Sequence, residues 1–358
     1  MPTRRFSRRF PRSTRSLSMN QQVSSDSHLA CFSRLLLCVD SSIASIHAAT
    51  YACQLGVTGV QVRVVSVLEN PRAILSAHSA TGLNIAAFSD ELRESANVAL
   101  SNVRRIFEDH GLTVEAELID LARYGGDVSH ALASEAQGWN ADLLVLGARQ
   151  HHGLLRWVEG AVSGPVSKLV KCPVLVVPES YEPQLQHGPT KILFAIDGSP
   201  ASHQALLTGV TLAAKGAHVR ALFVVDRTIR FTDLVPMEVR EADLVDEGKR
   251  ALATVAEVFT SLAPGISTDS GFLHTKRTGD DIAHAIVREA VRWPADLLVM
   301  GTHGRRGVAG WVLGSVSSRV ARITATRLLL VRAAADQAEN HEETETSTLE
   351  IRSLWNQS

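Results

Sequence analysis

Ala141-Asp-Leu-Leu-Val-Leu-Gly147 returns 154 positions later as Ala295-Asp-Leu-Leu-Val-Met-Gly301. Each is a short, continuous apolar run closed by glycine, as expected of a strand covered on both faces. Outward from this pair the matches continue. Arg34-Leu-Leu-Leu-Cys-Val-Asp40-Ser returns as Lys191-Ile-Leu-Phe-Ala-Ile-Asp197-Gly, 157 positions on. Gly126-Asp-Val-Ser-His-Ala-Leu132 returns as Gly279-Asp-Asp-Ile-Ala-His-Ala-Ile286, with one residue inserted. Cys172-Pro-Val-Leu-Val-Val177 returns as Thr326-Arg-Leu-Leu-Leu-Val331. Four matches in the same order imply two copies of one domain, at a period far too long for a solenoid.

Within each copy apolar runs alternate with helical patterns. The first copy predicts strands near 34–40, 60–68, 113–119, 142–147 and 173–178, with helices near 42–56, 90–110, 127–138 and 162–170. The second predicts strands near 190–197, 217–225, 266–273, 296–301 and 326–332, with helices near 201–215, 239–262, 280–291 and 315–324. Leu92, Ala96, Ala99, Val103 and Ile106 fall on one face of the helix near 90–110. Five strands alternating with helices argue for an α/β fold, a doubly wound parallel sheet in each copy. Ligands of such sheets bind at the carboxyl ends of the strands, at a topological switch point. Asp197 and Gly301 both stand at predicted carboxyl ends, so one crevice can hold both although 104 positions separate them.

Length and composition agree with two domains. The 358 residues are 45% hydrophobic with a formal net charge of -1. That balance gives no global attraction to nucleic acid or to an anionic membrane, and no apolar stretch approaches the roughly 18 residues of a membrane span. The four cysteines, Cys31, Cys38, Cys53 and Cys172, show neither a disulfide framework nor metal-ligand spacing. A reducing, cytoplasmic compartment is expected, with Cys38 and Cys172 as small core residues. The domains are expected at 31–179 and 188–333, joined by a linker over 179–189 that holds Pro183, Gly188 and Pro189. Residues 1–30 read as a disordered basic arm, with six Arg and no acid in the first 25. Its composition also fits an organellar transit peptide, or a leader upstream of a start at Met19. The region 334–358 reads as a solvated acidic tail, with six acids and a single Arg over 336–358.

The residues that carry chemistry follow the last apolar run of the second copy. Gly301-Thr-His-Gly304 is followed by nine residues and then Gly314-Ser315. Glycines let backbone N–H groups approach a ligand closely. Gly314-Ser-Val-Ser317 opens a predicted helix, whose first N–H groups and positive dipole end favour an anion. No G-x-x-x-x-G-K-[ST] occurs, nor a G-x-G-x-x-G after a strand, nor a G-x-S-x-G elbow. A Walker-type site, a dinucleotide site and an acyl-transfer enzyme are therefore disfavoured. His151-His152 and His303 have no carboxylate or cysteine at ligand spacing, so no metal site is expected, and Mg²⁺ is expected only on a nucleotide.

This organisation and motif resemble the universal stress protein family in its tandem two-domain form, over about residues 31–332. The resemblance implies two Rossmann-like domains of the adenine nucleotide alpha hydrolase type, a stress-response role and ATP binding wherever the glycine pattern is intact. It places Ala195 and Asp197 against adenosine, Val224 against adenine through its backbone, and Gly301 near the ribose. It places Gly304 beside the phosphates, which Gly314, Ser315, Val316 and Ser317 wrap. It further implies that the domains pair through their last strands, here Val174–Val177 and Arg327–Val331, as a pseudo-dimer within one chain, with further pairing into a homodimer left open. Simpler readings stand beside these: Asp197-Gly-Ser-Pro also makes a turn and helix cap, Val224 also suits a core strand, and Ser315 also suits a cap.

The first copy departs from the pattern. Its loop begins Gly147-Ala-Arg-Gln150 and closes Gly160-Ala161, so Gln replaces the second glycine and Ala the hydroxyl residue. Asp40 and Val67 keep the adenosine-side types. ATP is therefore expected in the second domain only, although Arg149, His151 and His152 suit another anion. Arg305-Arg306 reads equally as a γ-phosphate contact or as solvated charge. Three functions remain open: a nucleotide-dependent regulator with little turnover, a slow or partner-activated ATPase, and a scaffold needing no ligand. The first is favoured because no Glu or Gln lies within 301–315 to activate water. An ATPase would need Asp197, or an acid from 226–247, to reach the γ-phosphate.

Overall fold

The computed structural model describes residues 32–55, 59–71, 84–148, 150–151, 154–155, 163–181, 188–227, 237–262, 265–304 and 313–333. The basic arm, the acidic tail, most of the linker, and Arg149, His152, Ala161, Arg305 and Arg306 lie outside them. The first half runs β1 (Arg34–Cys38), α1 (Ile43–Gln54), β2 (Gln61–Leu68), α2 (Ile85–Asp109), β3 (Glu115–Asp120), the one-turn α3 (Leu121–Tyr124), α4 (Val128–Gly138) and β4 (Leu143–Ala148). It closes with a short hairpin of β5 (Gln150–His151) and β6 (Leu154–Leu155), then α5 (Ser163–Leu169) and β7 (Val174–Pro178). The second runs β8 (Lys191–Ile196), α6 (Pro200–Val210), β9 (His218–Val225), α7 (Met237–Leu262) and β10 (Ser267–His274). It ends with α8 (Ile282–Arg292), β11 (Leu297–Gly301), α9 (Ser315–Ile323) and β12 (Arg327–Val331). No described helix is long and apolar enough to cross a membrane.

The strands form one sheet in the order β10-β9-β8-β11-β12-β7-β4-β1-β2-β3. Each half is parallel within itself. The halves meet where β12 and β7 pair antiparallel, Leu329 opposite Leu175. The sheet has a buried layer on each face. One layer holds Phe107, Leu175, Phe194, Val299 and Leu329. The other holds Leu144, Val176, Ile286, Leu298 and Leu330. Both layers run unbroken across the junction, so the apolar central strands are covered on two sides, while the outermost strands, β3 and β10, are largely exposed or half-buried.

Each half also repeats a polar network at its outer strands. Arg63 lies over the Trp139 ring at 5.0 Å and binds Glu115 and Glu135, each at 2.7 Å. Arg220 lies over the Trp293 ring at 5.0 Å and binds Asp269 at 2.7 Å and Glu289 at 3.1 Å.

Most elements fall within two residues of their sequence expectation, and two differ more. Helix α2 starts five residues earlier than expected, where the Asn84 carboxamide oxygen accepts from the N–H groups of Ala86 and Ala87. The helix expected over 201–215 ends at Val210. There the Ala214 N–H turns to the Pro189 carbonyl at 2.9 Å, and Gly216 turns the chain with φ +74°. Cys38 is buried and Cys172 partly buried, with burial pushing both thiols up, so neither is a ready nucleophile.

Two side chains and two glycines fix how these parts fit. Arg327 of β12 is 7% exposed. Its guanidinium carbon lies 4.5 Å from the ring centre of Tyr51, on α1, and 4.7 Å from that of Tyr181, just past β7. A desolvated cation between two aromatic faces is worth about 2 kcal/mol or more. Arg332 also crosses the junction, donating to the Val170 carbonyl at 3.4 Å. The glycines end β4 and β11. A Cβ on Gly147 would stand 2.5 Å from the Ala44 carbonyl carbon, and one on Gly301 would stand 2.8 Å from the Ser202 nitrogen. Both strand ends thus press against the first turn of a helix, α1 or α6, where only bare backbone fits.

Gly147→Ala and Gly301→Ala are each expected to lower stability by about 1–3 kcal/mol, because backbone must shift to admit the methyl group. Urea titration reads this, and an unchanged midpoint in both would contradict the packing assigned to them. Arg327→Met is expected to lower the thermal midpoint, with a loss of about 2 kcal/mol. Calorimetry that shows no shift would remove the clamp from the account of the junction.

Candidate functional site

The second half changes strand direction of travel at β8. The chain leaves β8 for β9 and β10 on one side, then returns to β11 and β12 on the other. This is a topological switch point, and the carboxyl ends of β8 and β11 frame a crevice there. The residues expected at a nucleotide site lie on or just past β8, β9 and β11 and at the start of α9, and their contacts differ.

One wall is the turn after β8. Gly198 takes φ +80°, a conformation that suits glycine, and lets the chain double back into α6. Ser199 caps α6 by accepting from the Ser202 N–H at 3.1 Å. It also braces Asp197: its N–H and hydroxyl donate to Oδ1 at 3.0 and 2.6 Å. The turn-and-cap role of Asp-Gly-Ser-Pro and the placing of Asp197 are thus one arrangement. The Asp197 carboxylate is fixed through Oδ1, and Oδ2 is turned toward Gly304.

A side chain at Gly304 would press on that oxygen. A Cβ there would stand 2.8 Å from Asp197 Oδ2, closer than real Cβ contacts. The Ser199 hydroxyl also lies 3.3 Å from the His303 carbonyl, which ties the β8 turn to the loop after β11. Gly301, expected near a ribose, has the side where a Cβ would stand filled by α6. Its bare backbone serves strand–helix packing, and Gly147 shows the same contact in the first half.

The opposite wall is the start of α9. Gly314 is its N-cap and, having no side chain, offers no cap hydrogen bond. Among the described helix starts it stands apart: Ser42, Asn84, Asp120, Asp127, Ser199 and Asp281 each cap a helix with a side-chain oxygen. The first N–H groups of a helix have no intrahelical acceptor, so Ser315, Val316 and Ser317 present theirs without competition from a cap. Gly314 cannot gain a side chain freely, since a Cβ would stand 3.0 Å from the Thr302 carbonyl. That same carbonyl accepts from the Gly314 N–H at 2.8 Å and so sets where the helix begins.

The two serines differ. Ser315 is exposed and Ser317 is buried. The Ser317 hydroxyl points inward to the Gly301 and Thr302 carbonyls, at 2.9 and 3.1 Å. It fastens α9 to the end of β11. The hydroxyl available to a ligand is that of Ser315.

Ala195 and Val224 complete the floor. Both are partly buried against the face that holds Leu298 and Met300. Val224 lies one position past the last β8–β9 pair, Ile196 with Phe223, while it still faces Leu273 of β10. Its β8-side backbone edge therefore leaves the ladder at the crevice. Beyond it, the Arg227 side chain is paired with Glu241 and its N–H donates to Thr275 at 2.7 Å. Burial, and then the Arg227 charge, pull the His274 imidazole down from its ordinary value. Among the described residues no group of three or more His, Cys, Asp and Glu is placed to hold a metal ion.

The first half holds the same turn and a different loop. Asp40 Oδ1 accepts from the Ser42 N–H at 2.9 Å and the Ser45 hydroxyl at 2.8 Å. After β4, however, the chain forms the β5–β6 hairpin, with Gln150 opposite Leu155. The glycine pattern gives way to a hairpin at the position where the second half has Gly304. Ser199, Ser317 and Thr302 were not singled out from sequence as braces. Ser199 was legible only as a cap, and the inward turn of Ser317 depends on contacts across 16 positions.

Comparison with known proteins agrees with this architecture. The profile of the universal stress protein family matches the chain twice, over residues 32–178 and 189–332. A universal stress protein of Mycolicibacterium smegmatis is 29% identical over 246 residues, 67% of this chain and 77% of its own. The crystal structure of a universal stress protein from Archaeoglobus fulgidus covers 86% of this chain and 100% of its own, with a TM-score of 0.56 and 20% identity, a likeness of fold. A chain titled as a universal stress protein in complex with cAMP covers 41% of this one at a TM-score of 0.32. With its pattern matched twice in sequence and its fold shared, the chain belongs to the universal stress protein family.

Proposed function

We propose that the second half binds ATP and that the first does not, so that the chain acts as a nucleotide-dependent regulator in a stress response. What supports this reading is the start of α9, which has no side-chain cap and is tied to the Thr302 carbonyl, two positions from Gly304, which lies against the braced Asp197 carboxylate. Adenine lies against Ala195 and the free backbone edge of Val224. The ribose hydroxyls reach Asp197 Oδ2, since a carboxylate oxygen is the natural acceptor for them. The phosphates rest on the N–H groups of Ser315, Val316 and Ser317 with the Ser315 hydroxyl. There the helix dipole adds to the donors. Mg²⁺ accompanies the phosphates, supplying charge neutralisation. Gly304 leaves the carboxylate reachable, and Gly301 holds the strand end in place.

The first half keeps Asp40 and the packing glycine Gly147 and loses what the phosphates need. Gln150 stands at the position of Gly304, and Ala161 at that of Ser315. Regulation rather than catalysis is favoured because no Glu or Gln lies within 301–315. The Glu241 carboxylate, from the helix beside the crevice, is already paired with Arg227.

Gly304→Gln, which copies the first-half residue into the second, is expected to weaken ATP binding at least tenfold, about 1.4 kcal/mol. Isothermal titration against the parent chain measures this, with the melting curve of the ligand-free variant confirming the fold. Unchanged affinity would remove the loop from the site. Phosphate release with Mg²⁺ and saturating ATP is expected to stay below about one turnover per minute, far under ordinary enzyme rates. Faster release would make the protein an ATPase.

A further inference from the structure

Away from the crevice, on the outer face of the second half, a groove of about 420 Å³ runs along α8 to the end of α9. Its apolar lining includes Val287, Val291 and Ile323, and its charged lining includes Lys276 and Arg288. Val291 is 67% exposed, the most exposed large apolar residue among those described. Arg288 is rigidly held: its guanidinium binds both oxygens of the buried Asp280 carboxylate, at 2.9 and 3.1 Å. That fork holds Asp280 at about 2, well below the usual carboxylate range.

The repeat shows that this groove belongs to one half. Counting from the matched histidines His130 and His284, Val287, Arg288 and Val291 correspond to Ala133, Ser134 and Gln137. The surrounding surface carries a basic excess. Segments 276–292 and 315–323 hold six Lys and Arg against three acids, and two of those acids, Asp280 in the lining and Asp281, are paired with Arg288 and Arg319. One of the acids, Glu289, turns inward to Arg220. An exposed apolar floor within a cationic rim fits an acidic segment with apolar anchors.

The chain itself supplies such a segment. Residues 334–358 carry six acids against one Arg, and the same stretch holds Leu349, Ile351, Leu354 and Trp355. They follow β12 directly, in the half that bears the groove. The apolar cluster begins 16 positions after Ala333. An extended chain gains about 3.3 Å per residue, so this spacer reaches roughly 50 Å, more than a domain with a radius of gyration near 15 Å requires.

We infer that residues 334–358 dock back on their own second half, seating the apolar cluster at 349–355 in the α8–α9 groove while the preceding acids lie on its cationic rim. Linkage makes the segment's effective concentration high, so an intramolecular complex forms from contacts that would be weak between separate chains.

A fluorescently labelled peptide of residues 334–358 tests this by polarisation, with a chain ending at Ala333 and with the full chain. Saturable binding to the shortened chain is expected. The full chain, its groove already occupied, is expected to bind the peptide at least tenfold more weakly. Val291→Glu in the shortened chain, a change at an exposed position, is expected to weaken binding at least tenfold, and so is Leu354→Ser in the peptide. Equal binding to both chains, or binding insensitive to Val291→Glu, overturns the inference. So does a full chain that dimerises in sedimentation and becomes monomeric on truncation, since the occupant is then the tail of a second copy. None of these readouts involves nucleotide, so the inference and the ATP reading fail separately.

Discussion

The end of β11 is held where a Cβ atom has no room. Gly301 lies against the first turn of α6, and Gly304 lies against Asp197 Oδ2. Gly314 lies against the Thr302 carbonyl, which also receives its N–H. The three glycines of the motif thus answer to three different neighbours. The first is a requirement of the fold, which is why Gly147 persists in the half whose loop has diverged. The second and third shape the crevice: one leaves a carboxylate open, and the other starts a helix without a side-chain cap. Separating the fold glycine from the site glycines explains how one half can keep the architecture and lose the cradle.

Most of this was legible in the chain, because the duplication presents every strand twice. An ambiguous apolar run in one copy is settled by its partner in the other, and a strand buried on both faces needs only local composition to be recognised. What escaped is non-local. The Arg63–Trp139 and Arg220–Trp293 networks join residues from three elements, and no short spacing announces them. The β5–β6 hairpin lies where a loop was expected: in Gln150-His-His-Gly-Leu-Leu155 the glycine marks a turn, but the two-residue strands are too short for a periodic pattern. The inward hydroxyl of Ser317 could not be told from an outward one, since Gly-Ser-Val-Ser reads alike in both cases. The glycine contact at Gly301 needed the helix it touches.

The junction shows how the two halves diverge while sharing one sheet. Antiparallel pairing of β7 and β12 merges the buried layers on both faces. Arg327 then inserts between Tyr51, on α1, and Tyr181, just past β7, at a position where the matching residue of the first half is Pro173. Groove, clamp and cradle all involve groups of the second half. The first half contributes the Tyr51 ring and half of the sheet. On the proposed function it is a partner fused to the half that would bind nucleotide, and its own chain after β4 forms a hairpin.

The direct measurement is a crystal structure of the full chain grown with ATP and Mg²⁺. The account requires nucleotide density in the crevice of the second half, with phosphate oxygens on the N–H groups of Ser315, Val316 and Ser317 and the ribose beside Asp197. It requires no nucleotide beside Asp40. An empty second crevice, or nucleotide in the first half alone, would contradict it.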